Sequence, residues 1–105
     1  MKKIKVQLEY QCFPIWLYDE NEKLIDNDFP DQLVDDPDID LIFVHLQKQF
    51  DSLYLDDSYE FRYIGFADET AKQRFAAEFS HAVQSLREKA EGLYQIENCV
   101  NLEDL

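Results

Sequence analysis

Ile4, Val6, Leu8, Tyr10 and Cys12 alternate with Lys3, Lys5, Gln7, Glu9 and Gln11. An extended chain with a period of two puts all its apolar side chains on one face, so this run must be a strand with one side buried and one side wet. Further along the chain the period changes. Ile39, Ile42, Phe43, Leu46, Phe50 and Leu53 recur at spacings of 3, 1, 3, 4 and 3, which is a single face of an α-helix. A second helical face follows in Phe75, Phe79, Ala82, Val83, Leu86 and Ala90. One amphipathic sheet segment and two amphipathic helices have to cover one another, so the pattern predicts an α+β fold: a small antiparallel β-sheet with two main α-helices packed on one face. At 105 residues, 46% of them hydrophobic, the chain is expected to be a single domain over residues 1–105 with one core.

Punctuation residues place the elements. Pro14 cannot donate to a sheet ladder, so a bulge or bend is expected at Phe13 and Pro14 before the chain resumes through Tyr18. Residues 19–22 read as a turn, with Asn21 as the residue to take positive φ, and residues 23–26 as the returning arm of a hairpin. Residues 27–36 form a polar connection with room for one helical turn at 31–34. Asp36 caps the first helix, Pro37 fits its first position, and the helix is expected to run to about Tyr54. Residues 59–66 read as a strand with a bulge or close backbone approach at Gly65. Asp68 caps the second helix, and Gly92 supplies a left-handed end. Residues 93–105 fit either a strand or a short helix.

Charge is unevenly spread along this framework. Residues 19–60 hold fourteen carboxylates, eleven of them Asp, against Lys23 and Lys48, a net of −12, whereas the remaining residues sum to −1. A dense field of one sign repels itself, and solubility needs far less of it. The reading favoured here is a basic partner; the alternative is a solvated acidic face with no partner. Affinity for phosphate backbones comes from Lys and Arg, so the charge opposes nucleic-acid binding, and it likewise opposes anionic membranes.

Catalytic and metal signatures are not found in the sequence. His45 and His81 fall beside the apolar faces of different helices with no triad, glycine-rich loop or histidine pair around them, and they read as boundary residues. Asp36, Asp38 and Asp40 begin like a calcium loop, but Leu41 stands where that loop needs Gly and Gln47 where it needs Glu. No cofactor or metal site is predicted, and no enzyme. Cys12 and Cys99 lack metal spacing and read as free thiols of a reducing compartment, with a bridge between strand and tail as the alternative. No apolar run reaches membrane-spanning length and no leader is read at the start, so a cytoplasmic location is expected.

Charge steers partners together, and aromatic anchors carry most of the affinity. The candidate partner-binding residues are therefore Tyr18, Asp19, Glu20, Asp35, Asp36, Tyr54, Asp56 and Asp57. Phe13, Trp16, Phe29 and Tyr59 also lie beside the acids as candidate anchors, and core packing is the preferred reading for Phe13 and Trp16.

The segment YQCFPIWLYDENEKLIDND at residues 10–28, the Asp-rich helix start and RYIGF at residues 62–66 resemble small acidic immunity proteins encoded beside bacterial polymorphic toxins. The resemblance implies a role: binding a cognate toxin in the producing cell and blocking its active site or an essential surface. On this reading the acidic stretch covers a basic toxin domain. The alternative is a nucleic-acid mimic that inhibits a DNA- or RNA-binding protein, and neither reading predicts the oligomeric state.

Overall fold

The computed structural model describes residues 1–34 and 36–105. Strand β1 (Lys3–Val6) lies between β2 (Ile15–Tyr18) and β6 (Gln95–Asn98), and β3 (Leu24–Asp26) pairs with β2, giving the order β3-β2-β1-β6. Helices α1 (Asp31–Val34), α2 (Pro37–Asp51) and α3 (Glu69–Ala90) follow the first three strands, with a separate hairpin of β4 (Tyr54–Asp56) and β5 (Phe61–Tyr63) between α2 and α3. The fold class is the expected α+β. Its sheet is mixed, because β1 pairs antiparallel with β2 and parallel with β6. The parallel pair arises where α3 ends beside the start of β1, so the returning chain runs alongside β1 from Lys3↔Gln95 to Val6↔Asn98.

Alternation governs β1 as expected. Ile4 and Val6 are fully buried against the helices, while Lys3 and Lys5 stay on the outer face. The strand nevertheless stops at Val6, six residues before the apolar alternation ends. Gln11 takes φ 58°, its N–H donates to Asp51 Oδ1 at 2.8 Å, and the Cys12 N–H donates to the Glu9 carbonyl. A turn therefore folds β1 back onto β2, with Val6 opposite Ile15 and Lys3 opposite Tyr18. Leu8 and Tyr10 remain half-buried for other reasons: Leu8 packs on the margin of the core, and Tyr10 packs against the β4–β5 hairpin. The expected bend is present at Pro14, just after this turn, and a further irregularity in register lies between Leu17 and Tyr18 on the β2–β3 pair.

The second turn has a side-chain scaffold. Asp19 Oδ1 accepts from the N–H groups of Asn21 and Lys23, and Glu22, not Asn21, takes the left-handed conformation at φ 61°. Asn27 then ties β3 to β2 by donating to the Phe13 and Ile15 carbonyls at 2.7 and 2.8 Å.

Both long helices start where capping residues dictate. Asp36 accepts from the Asp38 and Ile39 N–H groups with Pro37 at the first position, and Asp68 accepts from Ala71 N–H. These bonds satisfy donors that have no intrahelical partner. Helix α2 ends at Asp51, three residues before the expected end, because Leu53 and Tyr54 belong to the entry into β4. Leu53 is buried even so, and its carbonyl accepts from both Ile64 and Gly65 N–H. At the end of α3, Gly92 adopts φ 79°, and the Leu93 and Tyr94 N–H groups return to the Ala90 carbonyl. The last segment contains both alternatives left open by the sequence: strand β6, then a 3-10 turn at Leu102–Asp104.

The core lies between the sheet and the two long helices. Ile4, Val6, Ile15 and Leu17 from the sheet meet Ile39, Phe43 and Leu46 of α2 and Phe75, Phe79, Ala82, Val83, Leu86 and Ala90 of α3, with Phe29 and Leu33 closing one end. Every residue assigned to the α3 face is buried. On α2, Ile42 is only partly buried at the edge.

Candidate functional site

The acidic stretch does not form one continuous patch. The Asp19–Glu22 turn lies at the Lys3 end of β1, since Lys3 pairs with Tyr18 and donates to Glu22 Oε1 at 3.1 Å. Tyr54, Asp56 and Asp57 lie at the opposite end of β1, reached through Tyr10, whose hydroxyl donates to Asp56 Oδ2 at 3.1 Å. Asp36 and Asp51 stand at opposite ends of the fifteen-residue α2, separated by about 22 Å of helix. Asp35 lies outside the described residues.

At the first end, charge is largely matched within the protein. Lys3 bridges Glu22 and Glu97, and Lys5 lies 3.9 Å from Glu97. The Glu22 hydrogen bond raises the Lys3 pKa, and the reciprocal bond lowers that of Glu22. Tyr18, an expected anchor, already carries a cation: Lys5 Nζ sits 4.5 Å from its ring centroid. Asp19 is committed to the turn, and Glu20 is exposed. Asp36 pairs with Lys89 near the end of α3, and that ammonium together with the Ile39 N–H holds its carboxyl below the usual carboxylate range. Phe13 and Trp16 are half-buried; Phe13 packs edge-on against Phe29, and the Trp16 indole N–H donates to the Gln7 carbonyl.

The second end is arranged differently. In the β4–β5 register Tyr54 faces Tyr63 and Asp56 faces Phe61, so these four side chains share one face of the ribbon, while Leu55 and Arg62 point to the other. Tyr54 and Phe61 stack with centroids 5.3 Å apart and planes within 4°. Tyr10 closes on both at 5.1 and 4.9 Å, and Phe50 meets Tyr54 edge-on. Asp57 Oδ1 accepts from the Tyr59 and Glu60 N–H groups, which caps the hairpin tip and holds the Asp57 carboxyl below its ordinary value. Burial, then Asp56, pushes the Tyr10 phenol up. Tyr59 is 96% exposed, and Phe61, Tyr63 and Ile64 are exposed as well.

Tyr10, Phe61 and Tyr63 were not among the sequence candidates. With α2 extended to about Tyr54, the strand at Tyr54–Asp56 was hidden and residues 59–66 lacked a partner. The available signal was Asp56-Asp57-Ser58 between two runs rich in aromatic and branched residues, a hairpin pattern.

Other hollows offer little chemistry. A cleft of about 420 Å³ between the end of α2 and the β5–α3 connection includes Gln49, Leu53, Phe66 and Ala71 in its lining, and no ionisable side chain lines it. His45 and His81 are both exposed beside a smaller hollow between the helices, and His45 Nε2 is 3.8 Å from Glu78 Oε2. Among the described residues, no three His, Cys, Asp or Glu side chains are grouped to hold a metal, and no helix is long and apolar enough to cross a membrane. Cys12 and Cys99 are both free thiols. Cys12 is half-buried and Cys99 exposed, so Cys99 is not the packing residue that free cysteines commonly are.

The structure is thus that of an acidic α+β protein bearing an aromatic hairpin at one end. The chain belongs to the Serratia CdiI immunity protein-like family, whose sequence model matches residues 2–99. This membership is consistent with an immunity protein of bacterial contact-dependent inhibition. No curated protein matches the chain.

Proposed function

We propose that this chain is a non-enzymatic immunity protein that binds a cognate toxin domain in the cytoplasm of the producing cell and neutralises it through its acidic surface. Family membership over residues 2–99 carries the reading. Localised charge supports it, because a field of −12 within 42 residues attracts a basic partner over a distance and raises the encounter rate. Of the two acidic ends, the β4–β5 hairpin is the better suited, since Tyr54, Asp56 and Asp57 stand beside exposed aromatics. The carboxylates around Tyr18, Asp19 and Glu20 have internal bases as neighbours.

Co-expression tests this function directly. Cells expressing the cognate toxin domain survive when the chain is present and stop growing without it. A tagged chain recovers that toxin domain at low salt and less of it at high salt. Unchanged toxicity with the chain well expressed rejects the proposal.

A further inference from the structure

The most unusual surface in the molecule is the face of the β4–β5 hairpin that carries Tyr54, Asp56, Phe61 and Tyr63. Phe61 is 55% exposed and Tyr63 43%, yet Phe61 is held by stacking on Tyr54 and by Tyr10 closing from the β1–β2 turn, and Tyr63 meets the Tyr54 ring edge-on. Backbone bonds from Ile64 and Gly65 to Leu53 anchor the ribbon, and Asp57 fixes its tip. Such a surface loses little entropy when a partner binds.

Its electrostatics are one-sided. Residues 51–61 contain Asp51, Asp56, Asp57 and Glu60 and no base. The nearest base in sequence, Arg62, lies on the opposite face of the ribbon with its Nε 3.5 Å from Glu60. Asp56 Oδ2 takes the Tyr10 hydroxyl, and Oδ1 has no hydrogen bond among the described residues. Electron-rich ring faces bordered by carboxylates attract a cation twice, through the ring quadrupole and through the charge. The molecule shows the first of these elsewhere, where Lys5 lies over Tyr18. Among the described residues, no cation occupies the hairpin rings.

We propose that this hairpin face is where a basic segment of the toxin domain docks, with an Arg or Lys side chain of that segment lying across the Tyr54, Phe61 and Tyr63 rings and its charge directed to Asp56. The proposal rests on the immunity reading and specifies the surface that reading uses.

Surface-binding kinetics with the cognate toxin domain provide the test, run on variants whose circular dichroism and unfolding midpoint match the parent. The pair Phe61→Leu and Tyr63→Leu keeps an apolar surface and removes two π faces, and dissociation should accelerate about tenfold. Asp56→Asn keeps an oxygen for Tyr10, and should weaken binding about tenfold with a shallower salt dependence. Gln84→Ala, on the exposed side of α3, should leave binding within about twofold. Iodination of the unaltered protein, mapped by mass spectrometry, needs no variant: bound toxin should shield Tyr54 and Tyr63 and leave Tyr18 reactive. If the parent protects cells while the hairpin variants bind as it does and Tyr18 is shielded instead, the docking surface is wrong and the immunity function stands. If the parent neither binds nor protects, the immunity reading itself fails and the docking proposal falls with it. Self-association of the parent that Phe61→Leu abolishes would assign the face to a second copy of the chain and overturn the proposal.

Discussion

Aspartate rather than glutamate dominates the acidic stretch, and its short side chain explains much of that choice. Asp19, Asp26, Asp28, Asp36, Asp51 and Asp57 each accept from a backbone N–H, which fixes turns and a helix start as well as adding charge. Titration follows from these bonds. The Asp57 carboxyl, lowered by the Tyr59 and Glu60 N–H groups, has a folded pKa below its unfolded value of about 3.9. Its stabilising contribution is therefore complete above the unfolded pKa and is lost as pH falls through the folded one. Asp57→Asn should destabilise the protein at pH 6, and the gap to the parent should close toward pH 2.5 in urea unfolding; a gap independent of pH would contradict this. Burial divides two residues that alternation and helical spacing treat alike. Phe43 is fully buried, so Phe43→Ala should cost about 3–5 kcal/mol, whereas half-buried Leu8 should cost about 1–2 kcal/mol on truncation. Equal unfolding midpoints for the two variants would show that the margin around Leu8 is as tightly packed as the centre.

Elements delimited by their own residues were legible in the sequence. Asp36-Pro37 and Asp68 marked both helix starts, and Gly92 marked the end of α3, because capping depends on neighbours along the chain. Elements delimited by distant residues were not. The turn that ends β1 is held by Asp51, forty positions from Gln11, so the residue that stops the strand is not a neighbour along the chain. The aromatic hairpin was half-legible: Tyr54, Asp56 and Asp57 stood out by type, but Tyr10 joins them only through tertiary packing. Nothing in Gln95–Asn98 announces a strand parallel to β1; that pairing follows from where α3 ends. The local devices also allow a direct test. A Cβ on Gly92 would meet nothing within 4 Å, so its φ of +79° is the whole constraint. Gly92→Ala should cost about 1 kcal/mol, and Gly92→Asn less, measured as shifts in the chemical unfolding midpoint. An unchanged midpoint for Gly92→Ala would mean that the end of α3 relaxes without a left-handed residue.

Across the whole molecule, the net charge of −13 acts on folding and on binding with opposite sign. Internal compensation is sparse: among the described residues, Lys or Arg side chains form ion pairs with Glu22, Asp36, Glu60 and Glu97 alone, leaving most carboxylates of the stretch to repel one another. Self-repulsion of this kind is greater in the compact state than in the expanded chain, so screening it should favour folding. The Debye length shortens from about 20 Å near 20 mM salt to about 7 Å near 200 mM, comparable with the spacing of surface charges. The Tm should therefore rise between about 20 and about 200 mM NaCl, an increase that charge screening explains without new contacts. Screening also weakens the few favourable pairs, but exposed pairs contribute little each and are outnumbered by the uncompensated acids. If the proposed docking holds, association with a basic toxin domain should respond in the other direction, its rate constant falling over the same interval while dissociation changes much less. Calorimetry and stopped-flow binding across one salt series measure both. A Tm that stays flat or falls would mean that the carboxylates are dispersed widely enough to repel only weakly, and an association rate indifferent to salt would remove the steering role from the acidic surface even if the aromatic hairpin binds.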